Sequence, residues 1–302
     1  MDVVLSGASG LIGRAVTRAL HARGDRVARL VRGGTSNDNE IAWEPDRGQI
    51  DAAVLEGFDA VVHLAGESIA ARKWTDEQKR RILESRTEGT ALLVGALATR
   101  ADRPRVLVSA SAIGYYGNRG DEILTEDSAA GTDFLADVCT QWEVATVPAI
   151  DAGIRVVNVR SGIVLDEHGG ALARMLLPFK LGFGGRIASG RQYMSWIALD
   201  DEVGAVLRAL DDETLRGPIN ATAPNPVPND EFTRTLGHVL HRPTILPTPL
   251  GPLRVRYGAE LVESLLCYSQ RVQPTRLQAA GYDFRLPSLE AALRAVLHRP
   301  TA

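Results

Sequence analysis

Short apolar segments alternate with longer stretches of helical periodicity along most of the chain. Segments rich in β-branched residues predict buried strands at 3–5, 26–31, 59–64, 105–109, 155–160 and 196–199, with a further short strand inside 43–50. Apolar positions three to four residues apart predict helices near 11–20, 74–98, 134–150, 201–210, 229–240, 258–266 and 289–297. Strands and helices that alternate in this way form a parallel sheet with helices on both faces. The pattern therefore predicts an α/β fold with a doubly wound parallel sheet.

Three glycines lie between the first strand and the first helix. Gly7, Gly10 and Gly13 have the spacing G-x-x-G-x-x-G. Residues without a Cβ atom allow a tight turn and close approach of a pyrophosphate, which the N–H groups of the helix N-terminus also favour. In this position the pattern predicts a Rossmann-type dinucleotide site, whereas an ordinary glycine-rich turn is the alternative. The expected cofactor contacts of the motif are Gly7, Ser9, Gly10, Leu11, Ile12 and Gly13.

The residue at the end of the second strand is Arg32. In dinucleotide-binding folds an acid near this position binds the 2′-hydroxyl of NAD, whereas an arginine accommodates the 2′-phosphate of NADP. Asp25 precedes the strand and is therefore badly placed for the ribose. The sequence favours NADP(H) over NAD(H); the alternative is that Arg32 is a solvated loop cation.

Hydroxyl and phenol side chains follow the strand at 105–109, in the segment SASAIGYYG. Open α/β sheets bind ligands at the carboxyl ends of their strands, and small residues there let the backbone approach a cofactor. Further cofactor contacts are expected at these strand ends and on one following helix, from Leu64, Ala65, Gly66, Arg86, Ser109 and Ser161.

Composition narrows the classes of function. The chain has 302 residues, 45% hydrophobic and 24% charged, which is ordinary for a soluble enzyme. Its formal net charge of -3 gives no electrostatic argument for binding nucleic acid or an acidic membrane. Cys139 and Cys267 make no disulfide framework, and no Cys/His spacing predicts a metal site. With the first strand at the second residue, we expect no signal peptide and a cytoplasmic protein.

The amino-acid composition of the sequence changes in two places. A glycine-rich crossover occupies 166–192, and prolines become frequent after residue 220. We expect an NADP(H)-binding domain of 1–165 plus 196–222 and a small discontinuous substrate lobe of 166–195 plus 223–302. The expected substrate contacts are Tyr116, Arg186, Gln192 and Trp196.

These motifs resemble the extended short-chain dehydrogenases/reductases, the group of NAD-dependent epimerases and dehydratases. More closely, the chain resembles the atypical subgroup called epimerase family proteins. The matching segments cover essentially the whole chain and include GASGLIG, VVHLAGESI, SRTEGT, SASAIGYYG, FLADVCTQWE, VRSGIVLDEHGGAL, GRQYMSWIALDD, GPINATAPNPVPNDEF and QRVQPTRLQAAGYDF. Residues from about 250 to 300 resemble the domain of unknown function typical of this subgroup. The resemblance implies a small-molecule substrate, a nicotinamide cofactor and a monomer or homodimer.

The chain departs from the usual catalytic pattern. Usual members carry a Tyr, and a Lys four residues later, on the helix that supplies acid/base chemistry. With Glu143 as the glutamate of that helix, Leu135 and Cys139 take the places of Tyr and Lys. A shift of one residue gives Phe134 and Val138, so neither register restores the pair.

Of the family's usual catalytic residues, the chain keeps the serine. The resemblance assigns it to Ser111, with Ser109 as the alternate. Tyr115 or Tyr116 would then be the proton relay. We expect an atypical NADP(H)-dependent oxidoreductase or epimerase of a small hydroxylated or carbonyl substrate. The alternative is a regulatory or sensor protein that binds NADPH without turnover. Met194 stands where related epimerases carry an arginine, which argues against a nucleotide-sugar substrate.

Overall fold

The computed structural model describes residues 1–300, and its centre is a sheet of eight strands. The strands of the chain are β1 (Asp2–Ser6), β2 (Arg26–Val31), β3 (Glu40–Glu44), β4 (Gln49–Ile50), β5 (Ala60–His63), β6 (Val106–Ala112), β7 (Ile123–Leu124), β8 (Arg155–Ser161), β9 (Ile163–Leu165), β10 (Tyr193–Met194), β11 (Trp196–Ala198), β12 (Gly217–Ala221), β13 (Val227–Pro228) and β14 (Arg271–Val272). The order in the large sheet is β12-β8-β6-β5-β1-β2-β3-β4. Every neighbouring pair is parallel except β3 and β4. The predicted doubly wound parallel sheet is confirmed.

Helices cover both faces of this sheet. They are α1 (Leu11–Ala22), α2 (Asp76–Ala98), α3 (Phe134–Val144), α4 (Val147–Asp151), α5 (Gly170–Lys180), α6 (Leu199–Asp211), α7 (Asn229–Leu240), α8 (Leu250–Tyr257), α9 (Ala259–Val262), α10 (Thr275–Ala279) and α11 (Leu289–Val296). In β1, Val3 and Leu5 join the core beneath α1 and α6, whereas Val4 joins the core beneath α2 and α4. Both faces of the strand are buried, which explains its uninterrupted apolar sequence. No helix among residues 1–300 is long and apolar enough to cross a membrane.

The strand order reverses between β1 and β5. From β1 the chain builds β2 and β3 on one side, and from β5 it builds β6, β8 and β12 on the other. β1 and β5 lie side by side, with Ser6 paired to His63 at their carboxyl ends. Such a switch point leaves a crevice where dinucleotides bind in open α/β sheets.

A second core lies outside the large sheet. It combines β9 and β11, which pair in parallel, with side chains of α5, α7 and α11. Trp196, Phe232 and Leu293 are completely buried in it. The domain boundaries expected from the sequence remain a prediction.

Two elements differ from the expected pattern. The helix expected over 134–150 ends at Val144, and α4 is a separate helix with Pro148 near its start. Proline has no N–H to donate to the preceding turn, so it is favoured in the first turn of a helix and disfavoured in a helix interior. The extra strand expected within 43–50 is a pair, β3 and β4, joined by a turn in which Gly48 has φ +63°.

Candidate dinucleotide site

The glycine turn lies at the crevice between β1 and β5. Gly7 has φ +71°, and a Cβ atom there would lie 2.7 Å from the carbonyl carbon of Leu64. A Cβ atom at Gly13 would lie 2.2 Å from the carbonyl oxygen of Gly7. At Gly10, by contrast, the only close atom is that same oxygen at 3.3 Å, and the residue is exposed. Gly7 and Gly13 are thus required by packing, whereas Gly10 leaves the outer face of the turn open to a ligand.

The remaining residues of the motif surround this open face. Ser9 is exposed, while Leu11 and Ile12 are half-buried. A Cβ atom at Gly169, the N-cap of α5, would lie 3.0 Å from Cδ1 of Leu11. The start of α5 therefore packs directly against the start of α1, beside the turn.

A buried polar network holds the loop after β5. The Oγ of Ser6 accepts hydrogen bonds from the N–H groups of Leu64 and Ala65, at 3.1 and 3.3 Å. The Ser6 hydroxyl therefore donates to Nδ1 of His63 at 2.7 Å, and Nε2 of His63 donates to Oγ1 of Thr90 at 3.0 Å. Burial lowers the pKa of His63 to about 4, so the ring is neutral at pH 7. His63 links strand β5 to helix α2 and positions the loop that faces the glycine turn.

Arg32 lies at the end of β2, on the opposite side of the glycine turn from β5. It is exposed and makes no hydrogen bond or ion pair within residues 1–300. The neighbouring Gly33 N–H donates to Oε1 of Glu44 at 2.7 Å. The structure thus places an unpaired guanidinium at the strand end where the sequence predicts the adenosine ribose.

The side chain of Ser111 is engaged inside the protein. It is 4% exposed, and its Oγ donates to Oε1 of Glu143 at 2.7 Å. Glu143 in turn makes a bidentate pair with Arg160, through Nε and Nη2, at 2.8 Å each. The alternate, Ser109, is completely buried. The half-buried Tyr115 ring covers the Glu143–Arg160 pair, with its centroid 3.4 Å from Cζ of Arg160. The Tyr115 hydroxyl makes no hydrogen bond within the described chain.

Three of the expected substrate contacts are structural instead. Tyr116 is completely buried, and its hydroxyl donates to Oδ1 of Asn220 at 2.7 Å; burial raises its pKa to about 12. Trp196 is completely buried, and Gln192 is 6% exposed. The Trp196 and Gln192 side chains donate to main-chain carbonyl oxygens of the lobe and its flanking segments. A side chain buried in this way offers no surface to a substrate, so these three assignments are corrected.

The fourth expected contact, Arg186, is exposed. It lines an open cavity of about 610 Å³ with Tyr193 and Asp230, and this cavity shares no lining residue with the glycine turn. The structure therefore does not bring Arg186 to the dinucleotide crevice. Among residues 1–300, no three His, Cys, Asp or Glu side chains cluster in a way that could hold a metal ion.

Helix α3 carries neither a Tyr nor a Lys. Cys139 is buried, and burial raises its pKa to about 12, so the thiol stays protonated at neutral pH. A Cβ atom at Gly114, in the turn after β6, would lie 3.7 Å from Sγ of Cys139 and 3.3 Å from Cβ of Leu135. The places expected for Tyr and Lys are filled by apolar packing.

One carboxyl group at the carboxyl end of β8 is not predicted from the sequence. Ser161, half-buried at the end of β8, donates to Oε1 of Glu202 at 2.5 Å. The other oxygen of Glu202 is buried without a partner, and burial raises the pKa of Glu202 to about 7. In the sequence Glu202 is one of three acids in the first turn of α6, a common pattern at helix N-termini, so nothing there distinguishes it.

Taken together, a switch point in a parallel sheet, an open glycine turn and loops at the carboxyl strand ends define a Rossmann-type dinucleotide-binding protein. Residues 3–220 match the model of the NAD dependent epimerase/dehydratase family, and residues 248–296 match a domain of unknown function, DUF1731. The chain belongs to the NAD-dependent epimerase/dehydratase family.

Its relatives match over nearly their whole lengths. An epimerase family protein of Mycobacterium bovis, Mb2239, is 43% identical over 298 residues, which are 99% of this chain and 98% of that protein. The human epimerase family protein SDR39U1 is 36% identical and covered completely. The crystal structure of the human protein with NADPH superimposes with a TM-score of 0.91 over 99% of this chain and 100% of that one. A UDP-glucose 4-epimerase from Thermus thermophilus in complex with NAD, 19% identical, shares the fold over 99% of this chain and 98% of its own (TM-score 0.75). The resemblance inferred from the motifs is confirmed.

Proposed function

We propose that this protein binds NADP(H) and transfers hydride between the nicotinamide and a carbinol or carbonyl carbon of a small substrate. The observation that carries the proposal is the open outer face of Gly10 after β1, together with the unpaired Arg32 after the neighbouring strand β2. Both features suit the cofactor: the turn leaves room for a pyrophosphate, and a guanidinium matches a 2′-phosphate. The crystal structure of the human relative with NADPH supports the same cofactor. A cytoplasmic location and the oligomeric state remain predictions.

Arg32→Ala is expected to weaken NADPH binding ten- to a hundredfold, because a charge-assisted contact contributes about 1.5–3 kcal/mol. NADH lacks the 2′-phosphate, so its affinity should hardly change. Isothermal titration calorimetry of the wild-type protein and Arg32→Ala with NADPH and with NADH measures these affinities. Equal affinities of the wild-type protein for NADPH and NADH would contradict the proposed preference.

The nicotinamide, when bound, supplies the hydride; the protein must supply or accept a proton. Ser111 stays a hydrogen-bond donor to Glu143, so it cannot also donate to a substrate oxygen without rearrangement. Tyr115, in the turn after β6, has a hydroxyl without a hydrogen-bond partner in the described chain, and its ring lies against Arg160 of β8. We assign Tyr115 as the proton relay of the hydride transfer, with Ser111 and Glu143 positioning the turn that carries it.

A second candidate function is cofactor binding without turnover. The observation in its favour is the apolar packing of Leu135 and Cys139 where family enzymes carry Tyr and Lys. A protein that senses NADPH needs the binding crevice but no proton relay.

Activity distinguishes the two functions. Cys139→Ala is expected to leave turnover nearly unchanged, because a buried neutral thiol is inert. The double variant Ser111→Ala, Tyr115→Phe should abolish turnover while it keeps NADPH binding. NADPH oxidation followed at 340 nm across a library of carbonyl compounds, with a cofactor titration of each variant, measures both effects.

The opposite pattern, with Cys139→Ala inactive and the double variant active, would reject the assignment of the relay. No turnover by the wild-type protein with any library member, together with tight NADPH binding, would favour the sensor.

A further inference from the structure

The guanidinium of Arg86 is held in place with most of its donors free. Arg86 is on α2, and its Cζ lies 5.0 Å from the centroid of the Trp142 ring on α3. The indole is itself fixed, because its Nε1 donates to Oγ1 of Thr90 at 3.0 Å. Within residues 1–300, the single hydrogen bond of Arg86 runs from Nη1 to the carbonyl oxygen of Ile82, at 3.0 Å. Four of the five N–H donors of the guanidinium therefore remain for a ligand.

No carboxylate neutralises this cation directly. Within the described part of the chain, no Asp or Glu oxygen lies within 4.0 Å of the Arg86 guanidinium. Burial lowers the pKa of Arg86, while the Glu67 carboxylate acts in the opposite direction. Arginine stays protonated under such conditions, so the site carries a fixed positive charge.

Arg86 lies between the loop after β5 and helix α3. A Cβ atom at Gly66, directly after β5, would lie 3.2 Å from Cζ of Arg86. On its other side is α3, where Cys139 precedes Trp142 by three residues, so that the two buried side chains share one face of that helix. In the register anchored on Glu143, Cys139 takes the position on α3 where the family carries its lysine. In a doubly wound sheet the strands beyond the switch point hold the second nucleotide half of a dinucleotide.

We propose that Arg86, reaching over from α2, supplies the positive charge of the nicotinamide half of the site in place of the ammonium that α3 lacks. The proposal rests on the proposed binding of NADP(H). It explains why a cysteine is tolerated at residue 139: a lysine there would place a second cation beside Arg86. A guanidinium attracts an oxygen that gains negative charge but gives up no proton, so proton transfer stays with another group.

A fixed cation near the ring distinguishes the two redox states of the cofactor. The oxidised nicotinamide is positively charged and the reduced ring is neutral, whereas the phosphates are the same. Repulsion therefore weakens NADP+ binding and leaves NADPH binding unaffected. The ratio of the dissociation constants for NADP+ and NADPH measures this repulsion separately from every contact that both forms share.

The test compares this ratio in the wild-type protein, Arg86→Gln and Arg86→Lys by isothermal titration calorimetry. Arg86→Gln should lower the ratio roughly tenfold, and Arg86→Lys should keep most of it. Arg32→Gln is the matched control, since loss of the 2′-phosphate contact weakens both forms equally and leaves the ratio unchanged. An unchanged ratio in Arg86→Gln would overturn the proposal, whereas failure of the wild-type protein to bind NADPH would overturn the proposed function.

A stability measurement tests the same idea without cofactor. Cys139→Lys is expected to lower the melting temperature by roughly 10 °C, because it buries a second cation beside Arg86. In the Arg86→Gln background the same substitution should cost less than half as much. Equal losses in the two backgrounds would show that Arg86 does not occupy the place of the lysine.

Discussion

Arg160→Met is expected to lower the free energy of unfolding by about 3–5 kcal/mol, since it removes one partner of a buried ion pair. The Arg160 side chain is 3% exposed and that of Glu143 is 13% exposed, so the carboxylate left behind would be poorly hydrated. Nη1 of Arg160 also donates to the hydroxyl of Tyr116 at 3.0 Å, which would lose that donor. Urea denaturation followed by circular dichroism measures the loss.

Two variants serve as controls for this prediction. Arg160→Met combined with Glu143→Gln should recover part of the stability, because no unpaired charge remains. Arg254→Met removes an exposed pair, with 48% and 50% exposed side chains, and should change stability by less than about 0.5 kcal/mol. A similarly small effect for Arg160→Met would mean that water reaches the Arg160–Glu143 pair and that this pair does not organise the end of β6.

Gly10→Val is expected to weaken NADPH binding by at least about a hundredfold while the protein remains folded, because the side chain would fill the space of the pyrophosphate. The nearest protein atom to a Cβ at Gly10 is the Gly7 carbonyl oxygen at 3.3 Å, so the fold has to adjust only slightly. Titration calorimetry and far-ultraviolet circular dichroism measure the two effects.

Two further glycine variants serve as controls for this prediction. Gly13→Ala should destabilise the turn itself, since its Cβ would lie 2.2 Å from the same oxygen. Gly95→Ala, at an exposed position of α2 with no atom within 4 Å, should leave NADPH affinity unchanged and stabilise the helix by about 0.5–1 kcal/mol. If Gly10→Val is folded and binds NADPH normally, the cofactor does not pass over this turn.

Local patterns in the sequence were sufficient for the sheet and for the position of its crevice. The period of apolar residues identifies strands such as β1 and helices such as α1, because burial selects the same side-chain spacing in any context. Gly7 and Gly13 are set by backbone contacts within and beside one turn, and Arg32 by its place directly after β2. The family and the fold were therefore predictable, while the cofactor contacts and domain boundaries remain predictions.

The chemistry of the site depends on partners far apart in the sequence. No local pattern indicates that Ser111 donates to Glu143, that Trp196 is buried in a second core, or that the Arg86 guanidinium lies over the Trp142 ring. A serine in a strand and an arginine on a helix look the same whether they face a ligand or the protein. Only the packing of α2 and α3 against the strand ends decides which polar groups are satisfied internally and which remain free, because a buried group must find its partner within the fold.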